Sequence, residues 1–140
     1  MENKESALLN VHRYIAGALM LLMALAIYLL FRPQGLFNGT FNFTHLVSGC
    51  TLPQWLVDSM PDALWYASLM CFQIPLDFSR SLARQSVTIL ACATGPLHEL
   101  LQYLAVVPGT YCRYDMTAYF SILITYLIIC LIKYLKRFRC

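Results

Sequence analysis

Four polar residues in an otherwise apolar stretch are the part of this chain best suited to chemistry. His98 and Glu99 are adjacent, Gln102 follows Glu99 by three residues, and Asp115 opens the next apolar run. Residues three and four apart share one face of a helix, so Gln102 neighbours both Glu99 and His98. An acid, an imidazole and an amide placed together can bind a polar ligand or exchange a proton with it.

The position of Glu99 within an apolar segment demands a polar environment. Val107 is the predicted end of that segment, and Glu99 precedes it by about 12 Å at 1.5 Å per residue, within hydrocarbon depth. A charge there costs roughly 2.5–3.5 kcal/mol, so we expect Glu99 to face other helices or a wet cavity. A structural role is the alternative, in which neutral Glu99 hydrogen-bonds a neighbouring helix with Gln102 as its partner. A lone histidine such as His98 is also more often structural.

Two further acids and one arginine are expected at the same membrane face. Asp62 opens the second apolar segment and Asp115 opens the fourth. Acids at helix N-termini satisfy unpaired N–H groups and oppose the positive end of the helix dipole, which is a purely structural explanation for both. Two such helix ends beside Arg113 can also hold an anion such as a lipid phosphate near the outer leaflet.

Four apolar segments must position these residues. The chain has 140 residues, of which 59% are hydrophobic and 12% charged, whereas soluble domains average about 25% charged. We therefore predict an all-α polytopic membrane protein, a single domain over 1–140, with a long outer loop between its first two helices. A signal peptide is the alternative for the first segment, disfavoured because the apolar run exceeds about 7–15 residues. The predicted spans are 13–31, 60–78, 86–107 and 115–135.

Prolines mark the less regular boundaries of these segments. Ser59 to Asp62 predicts the start of the second span, with Ser59 as N-cap and Pro61 in the first turn. The residues before it, 52–58, predict a short interfacial helix. Gly95–Pro96 predicts a kink in the third span.

The basic residues predict the orientation. Eight of the ten lysines and arginines fall on one side of a four-span arrangement, and by the positive-inside rule that side is cytoplasmic. Both termini would then face the cytoplasm, leaving Arg32 and Arg113 in the outer connections. A three-span arrangement would separate the turn with Arg80 and Arg84 from the basic C-terminal tail. The charge pattern therefore supports the second span.

The sequence disfavours several classes of site and partner. The six cysteines form no CxxC pair and no Cys/His spacing suited to zinc, so we predict neither a metal nor another cofactor. Because no basic stripe with interleaved aromatics is present, nucleic acid is not an expected partner. Cys50 and Cys112 are the cysteines expected in outer loops, and they can pair in an oxidising compartment.

Part of the C-terminal half resembles the VanZ-like membrane proteins, a family named for a teicoplanin-resistance-associated protein. Glu99-Leu-Leu-Gln102, a proline-containing bend and Asp115 opening an apolar helix are similar to that family's E-x-x-Q … D pattern. The family's arginine between Gln and Asp is missing at its usual place, and Arg113 lies closer to the aspartate. The resemblance implies a small helical bundle of the bacterial inner membrane, linked to the cell envelope and glycopeptide resistance.

The first of three functions left open is a bacterial inner-membrane protein with an acidic site that opens to the outer leaflet. It would bind, shield or help modify a membrane lipid or a lipid-linked cell-envelope precursor. Glu99 is the central acid of that site, and His98 and Gln102 adjust it. Three further residues line the mouth: Asp62, Arg113 and Asp115.

The other two functions belong to different classes. An accessory or scaffolding subunit of a larger membrane complex would use the small residues of the first span for close contact with a membrane protein partner. These residues are Ala16, Gly17, Ala18, Ala24 and Ala26. A membrane-embedded lipid-processing enzyme would use Glu99 and His98 as an acid/base pair. Because no nucleophile stands at a recognisable spacing from this pair, the sequence leaves catalysis undecided.

Overall fold

The computed structural model describes residues 2–31, 52–73 and 81–137, and in these ranges the chain forms four α-helices and no strand. The helices are α1 (Glu2–Phe31), α2 (Gln54–Phe72), α3 (Leu82–Tyr103) and α4 (Arg113–Arg137). The prediction of an all-α chain is therefore confirmed. The helices belong to two compact units, Met1–Cys71 and Phe72–Cys140.

Two of the helices are long and apolar enough to cross a membrane. The segments are Asn10–Phe31 of α1, with 22 residues, and Arg113–Lys136 of α4, with 24 residues. At 1.5 Å per residue both exceed about 30 Å, the thickness of a bilayer core. Most of their side chains are not buried inside the fold. Length and composition thus make the chain compatible with a membrane protein.

In the first unit, α1 and α2 run antiparallel where they meet. The Ser68 hydroxyl donates a buried hydrogen bond of 2.8 Å to the carbonyl oxygen of Gly17. Arg13 lies one turn before Gly17 in α1. It interacts electrostatically with the Cys71 thiol, which lies one turn after Ser68 in α2. Gly17 and Ala24 are both buried. These two of the small residues predicted to contact a partner protein therefore pack within this chain, whereas Ala18 and Ala26 are exposed.

The predicted start of the second helix at Ser59 is wrong. Helix α2 begins at Gln54 and continues through Pro61, so Ser59 is an interior helical residue and not an N-cap. The predicted interfacial helix and the start of the second span form one helix. The Pro53 carbonyl accepts the first hydrogen bonds of this helix, and the Gln54 amide donates to the Asp58 carboxylate at 2.9 and 3.1 Å. These contacts stabilise the earlier start. The predicted end at 78 lies outside the described residues.

In the second unit, α3 packs against α4. Helix α3 runs through Gly95–Pro96 and ends at Tyr103, four residues before the predicted end of the third span. Helix α4 begins at Arg113, slightly before the predicted start at Asp115. Residues 104–112 form the connection between the two helices. The kink at Gly95–Pro96 stays a prediction.

Candidate functional site

Helix α3 ends in a hydrogen-bonded C-cap that turns the chain back. The Val106 N–H donates to the Leu101 carbonyl at 2.9 Å, and the Ala105 N–H donates to the Gln102 carbonyl at 3.0 Å. This pair of bonds defines a Schellman motif, in which the left-handed residue is usually glycine. Here it is Ala105, with φ of 53°. Because α3 ends at Tyr103, Glu99 lies only about 6 Å from the helix end.

Two side chains from the last turns of α3 hold the far end of the connection. The Glu99 side chain is 3% exposed, and its Oε2 accepts a hydrogen bond of 3.1 Å from the backbone N–H of Cys112. The rings of Tyr103 and Tyr111 meet edge to face with their centroids 5.3 Å apart. Glu99 is thus buried with a polar partner, as its position in an apolar helix requires.

A third side chain of α3 supports the middle of the connection. A Cβ added to Gly109 would overlap the Gln102 amide nitrogen and lie 2.8 Å from its Cδ. Gly109 also has φ of 137°, which residues with side chains rarely adopt. The Gln102 amide therefore packs directly against the backbone of the connection, and the backbone conformation at 109 favours glycine.

Asp115 occupies the helical position at which an acid usually closes a capping box. The Met116 N–H donates to the Cys112 carbonyl at 3.2 Å, which makes Cys112 the N-cap of α4 and Asp115 its third helical residue. In a capping box the acid at that third position accepts the N–H of the N-cap residue. In this chain Glu99 accepts that N–H instead.

One oxygen of the Asp115 carboxylate has no hydrogen-bond partner among the described residues. Asp115 is 8% exposed, and within the part of the chain that the structure describes its Oδ1 is buried without a hydrogen-bond partner. The expectation that Asp115 satisfies a backbone N–H of α4 is therefore wrong for this atom. Because at least nine in ten buried polar groups are hydrogen-bonded, an unpaired buried Oδ1 is an unusual feature that leaves an acceptor available.

Two of the remaining candidates, His98 and Arg113, are exposed, unlike Glu99 and Asp115. Because His98 is exposed while its neighbour Glu99 is buried, a joint acid/base role for the two stays a prediction. Arg113 is exposed at the start of α4, and Asp62 belongs to α2 in the first unit. The structure thus places Glu99, Gln102 and Asp115 at the α3–α4 connection, while roles for Arg113 and Asp62 stay predictions.

Neither a metal site nor a disulfide enters the geometry of the connection. No group of three or more His, Cys, Asp or Glu residues suited to a metal ion occurs in the described ranges. Cys112 is a thiol in this structure and contributes its backbone N–H to Glu99. Cys50 lies outside the described residues, so its pairing with Cys112 stays a prediction.

Sequence reasoning missed two contributors to this site. The backbone N–H of Cys112 carries no sequence signal, because every residue except proline has one. Gly109 did carry a signal, since Pro108–Gly109 is a dipeptide typical of turns. That signal indicates the turn but not the contact with Gln102.

No family model, curated protein or solved structure matches this chain. The resemblance to VanZ-like proteins therefore stays an expectation that depends on Glu99, Gln102 and Asp115. The geometry of the α3–α4 connection and the apolar helices on either side of it are therefore the features that bear on function.

Proposed function

We propose that this chain is a four-span protein of a bacterial cytoplasmic membrane that binds the polar headgroup of a lipid or of a lipid-linked cell-envelope component. The observation that carries the proposal is the unpaired, buried Oδ1 of Asp115 at the α3–α4 connection. A membrane-embedded acceptor of this kind suits a headgroup that carries N–H or O–H donors. The VanZ-like resemblance agrees with an envelope-linked role.

The contact between α1 and α2 supports a membrane-spanning α2. Ser68, within α2, hydrogen-bonds the carbonyl of Gly17, which lies inside the apolar segment Asn10–Phe31. A helix that packs antiparallel on a spanning helix at this level lies at the same depth in the bilayer. With 19 residues, α2 covers about 28 Å, close to the thickness of the hydrocarbon core.

The surface of α3 supports a fourth span. Val87 and Leu90 are 71% and 66% exposed, although α3 packs against α4. Side chains of this kind form an unfavourable apolar patch in water and a favourable one in lipid. We infer that α3 crosses the membrane beside α4, and that the basic residues keep both termini in the cytoplasm. The α3–α4 connection then faces the outer leaflet.

In this proposal Asp115 contacts the headgroup, and Glu99 is a positioning residue. Glu99 accepts the Cys112 N–H, and this keeps Asp115 from closing its own capping box. An ionised carboxylate is acceptor-only, so the ligand must provide the hydrogen, as the ammonium of phosphatidylethanolamine or a sugar hydroxyl does.

No specific observation favours either of the two alternative functions. An enzyme that uses Glu99 and His98 would need the two side chains to share an environment, but one is buried and the other exposed. An accessory subunit would use the small residues of α1, of which Gly17 and Ala24 are buried and Ala18 and Ala26 are exposed, so this alternative stays a prediction.

A comparison of two phospholipids tests the proposal directly. Phosphatidylethanolamine and phosphatidylcholine share a phosphate, but only the former has N–H donors. Purified protein in detergent should bind phosphatidylethanolamine more tightly by roughly 10–100-fold, because a hydrogen bond to a charged group contributes about 1.5–3 kcal/mol. Binding is counted by native mass spectrometry, with a glucosyl diacylglycerol as the hydroxyl-bearing probe.

Matched variants identify the acceptor in this comparison. Asp115→Ala should abolish the preference for donor-bearing headgroups. Thr125→Val should keep it, because Thr125 is exposed and its hydroxyl donates to the Ser121 carbonyl of its own helix. Equal binding of donor-bearing lipids and phosphatidylcholine by the unmodified chain, or a preference that survives Asp115→Ala, would refute the proposal.

A further inference from the structure

Arg13 is a partly exposed cation with two buried nitrogen atoms, and it lies in an apolar helix segment far along the chain from the site already described. It is the only Lys, Arg, Asp or Glu in Asn10–Phe31. Its Nε and Nη1 atoms are buried and, among the residues that the structure describes, have no hydrogen-bond partner. A guanidinium keeps its charge in proteins and has five N–H donors but no acceptor. Two unpaired donors therefore require an acceptor from elsewhere.

The acids of α2 are too far along the helix to provide that acceptor. Arg13 lies near Cys71, and Asp62 precedes Cys71 by nine residues, or about 13 Å along the helix. Asp58 lies one turn further away and accepts hydrogen bonds from the Gln54 amide. The acceptor for Arg13 must come from outside these side chains.

The depth of Arg13 indicates the chemistry of that acceptor. Arg13 lies three residues inside the segment Asn10–Phe31, or about 4.5 Å along the helix. If α1 crosses a bilayer, this is where the hydrocarbon gives way to headgroups. The acceptors at that level are phosphodiester oxygens, whose geometry a planar guanidinium matches with two parallel hydrogen bonds.

We propose that Arg13 binds the phosphate of a phospholipid in the leaflet at the N-terminal end of α1. The Arg13 guanidinium carbon lies 5.0 Å from the centroid of the Tyr14 ring, which holds the cation by a cation–π contact. Tyr14 is 45% exposed and Arg13 is itself partly exposed. A small movement of the Tyr14 ring admits a phosphate to the unpaired nitrogens.

Phosphatidylglycerol and a phosphate-free diacylglycerol with the same acyl chains are the probes for this site. The protein in detergent is incubated with each lipid, and bound lipid and thermal stability are measured together. We expect one phosphatidylglycerol bound with a stabilising shift, and no such effect from diacylglycerol. Inorganic phosphate is added alone in a third arm, and binding there without lipid would overturn the assignment to a phospholipid.

Variants of Arg13 decide whether the effect belongs to this residue. Arg13→Gln should weaken phosphatidylglycerol binding at least tenfold and remove the stabilising shift. Arg13→Lys, which keeps the charge but not the planar fork, should give an intermediate loss. Lys133→Gln removes the same charge from an exposed position of α4 and should change neither readout.

A merely structural Arg13 gives a different pattern. Arg13→Gln would then change thermal stability equally with and without phosphatidylglycerol, and this result would overturn the proposal. If Arg13→Gln does not fold, Arg13→Lys carries the test alone, and unchanged lipid affinity contradicts the assignment. Asp115→Ala should leave the phosphatidylglycerol effect intact, so this inference and the headgroup site at the α3–α4 connection can fail separately.

Discussion

Replacing Glu99 by alanine should reverse the sign of the contribution that Asp115 makes to stability. In the native chain, Glu99 accepts the Cys112 N–H at 3.1 Å and leaves the Asp115 Oδ1 buried and unpaired within the described ranges. Without the Glu99 carboxylate, the Cys112 N–H loses this acceptor. Asp115 stands at the helical position that closes a capping box, so a rotation of its side chain can provide the missing acceptor.

The magnitudes follow from these hydrogen bonds. A buried unsatisfied polar group costs about 1–3 kcal/mol, and an acid at a helix N-terminus recovers roughly 0.3–1 kcal/mol from the dipole. Asp115→Ala in the native chain should therefore stabilise it by about 0–3 kcal/mol. In the Glu99→Ala background Asp115 acts as a cap, and removing a cap costs about 0.5–2 kcal/mol. The two substitutions should thus be coupled by about 0.5–5 kcal/mol.

A double-mutant cycle measures this coupling. The unmodified chain, Glu99→Ala, Asp115→Ala and the double variant are unfolded reversibly in mixed micelles, and the free energy of unfolding is compared. Thr117→Val is the matched control two residues along α4. Its hydroxyl is exposed and donates to the Arg113 carbonyl of its own helix, so the control should stay within about 0.5 kcal/mol of the unmodified chain.

The sign of the Asp115→Ala effect is the decisive result of this cycle. If Asp115→Ala destabilises both backgrounds by the same amount, then Asp115 already has a favourable interaction in the native chain. The unpaired Oδ1 would not then be an open acceptor. Independent sites usually add within about 0.3–0.5 kcal/mol, so a coupling no larger than this would refute the reasoning.

Three further predictions test the connection and the topology. Gly109→Ala should destabilise the chain by about 1–3 kcal/mol, because Gly109 has φ of 137° and a Cβ there would overlap the Gln102 side chain. Adding Gln102→Ala to the Gly109→Ala variant should recover part of that loss. Ala105→Gly should stabilise it by up to about 1 kcal/mol in the same unfolding assay, because Ala105 has a left-handed φ of 53°. With the native cysteines replaced, Ser81→Cys should react with a membrane-impermeant maleimide only after permeabilisation. Labelling in intact spheroplasts would instead place the start of α3 outside and contradict the predicted orientation.

The sequence predicts helices better than it predicts where they start and stop. Long uninterrupted apolar runs indicate α1 and α4, because few other structures bury so many consecutive hydrophobic residues. The start of α2 was misplaced because Ser59, Pro61 and Asp62 form a pattern typical of helix starts. The end of α3 was misplaced because Ala105 adopts a left-handed conformation that alanine seldom takes, so no residue type marks the end.

The site was predictable in its residues but not in their roles. Glu99, Gln102 and Asp115 do lie at one connection, as the spacing of polar residues in apolar segments suggests. The assignment of Glu99 as the central ligand-binding acid depended on its having side-chain partners. Its observed donor is the backbone N–H of Cys112. A main-chain partner leaves no trace in residue types, so the sequence could not show which donor Glu99 binds.

The arrangement of the two acids is itself an argument for function. A capping box formed by Asp115 alone would satisfy the Cys112 N–H without any acid from α3. The chain instead buries Glu99 to accept that N–H, and keeps Asp115 buried with an oxygen unpaired in the described structure. Two buried acids that compete for one donor are less stable than one acid satisfied by it. Costs of this kind persist where a binding site needs them, which points to Asp115 as the group kept open for a ligand.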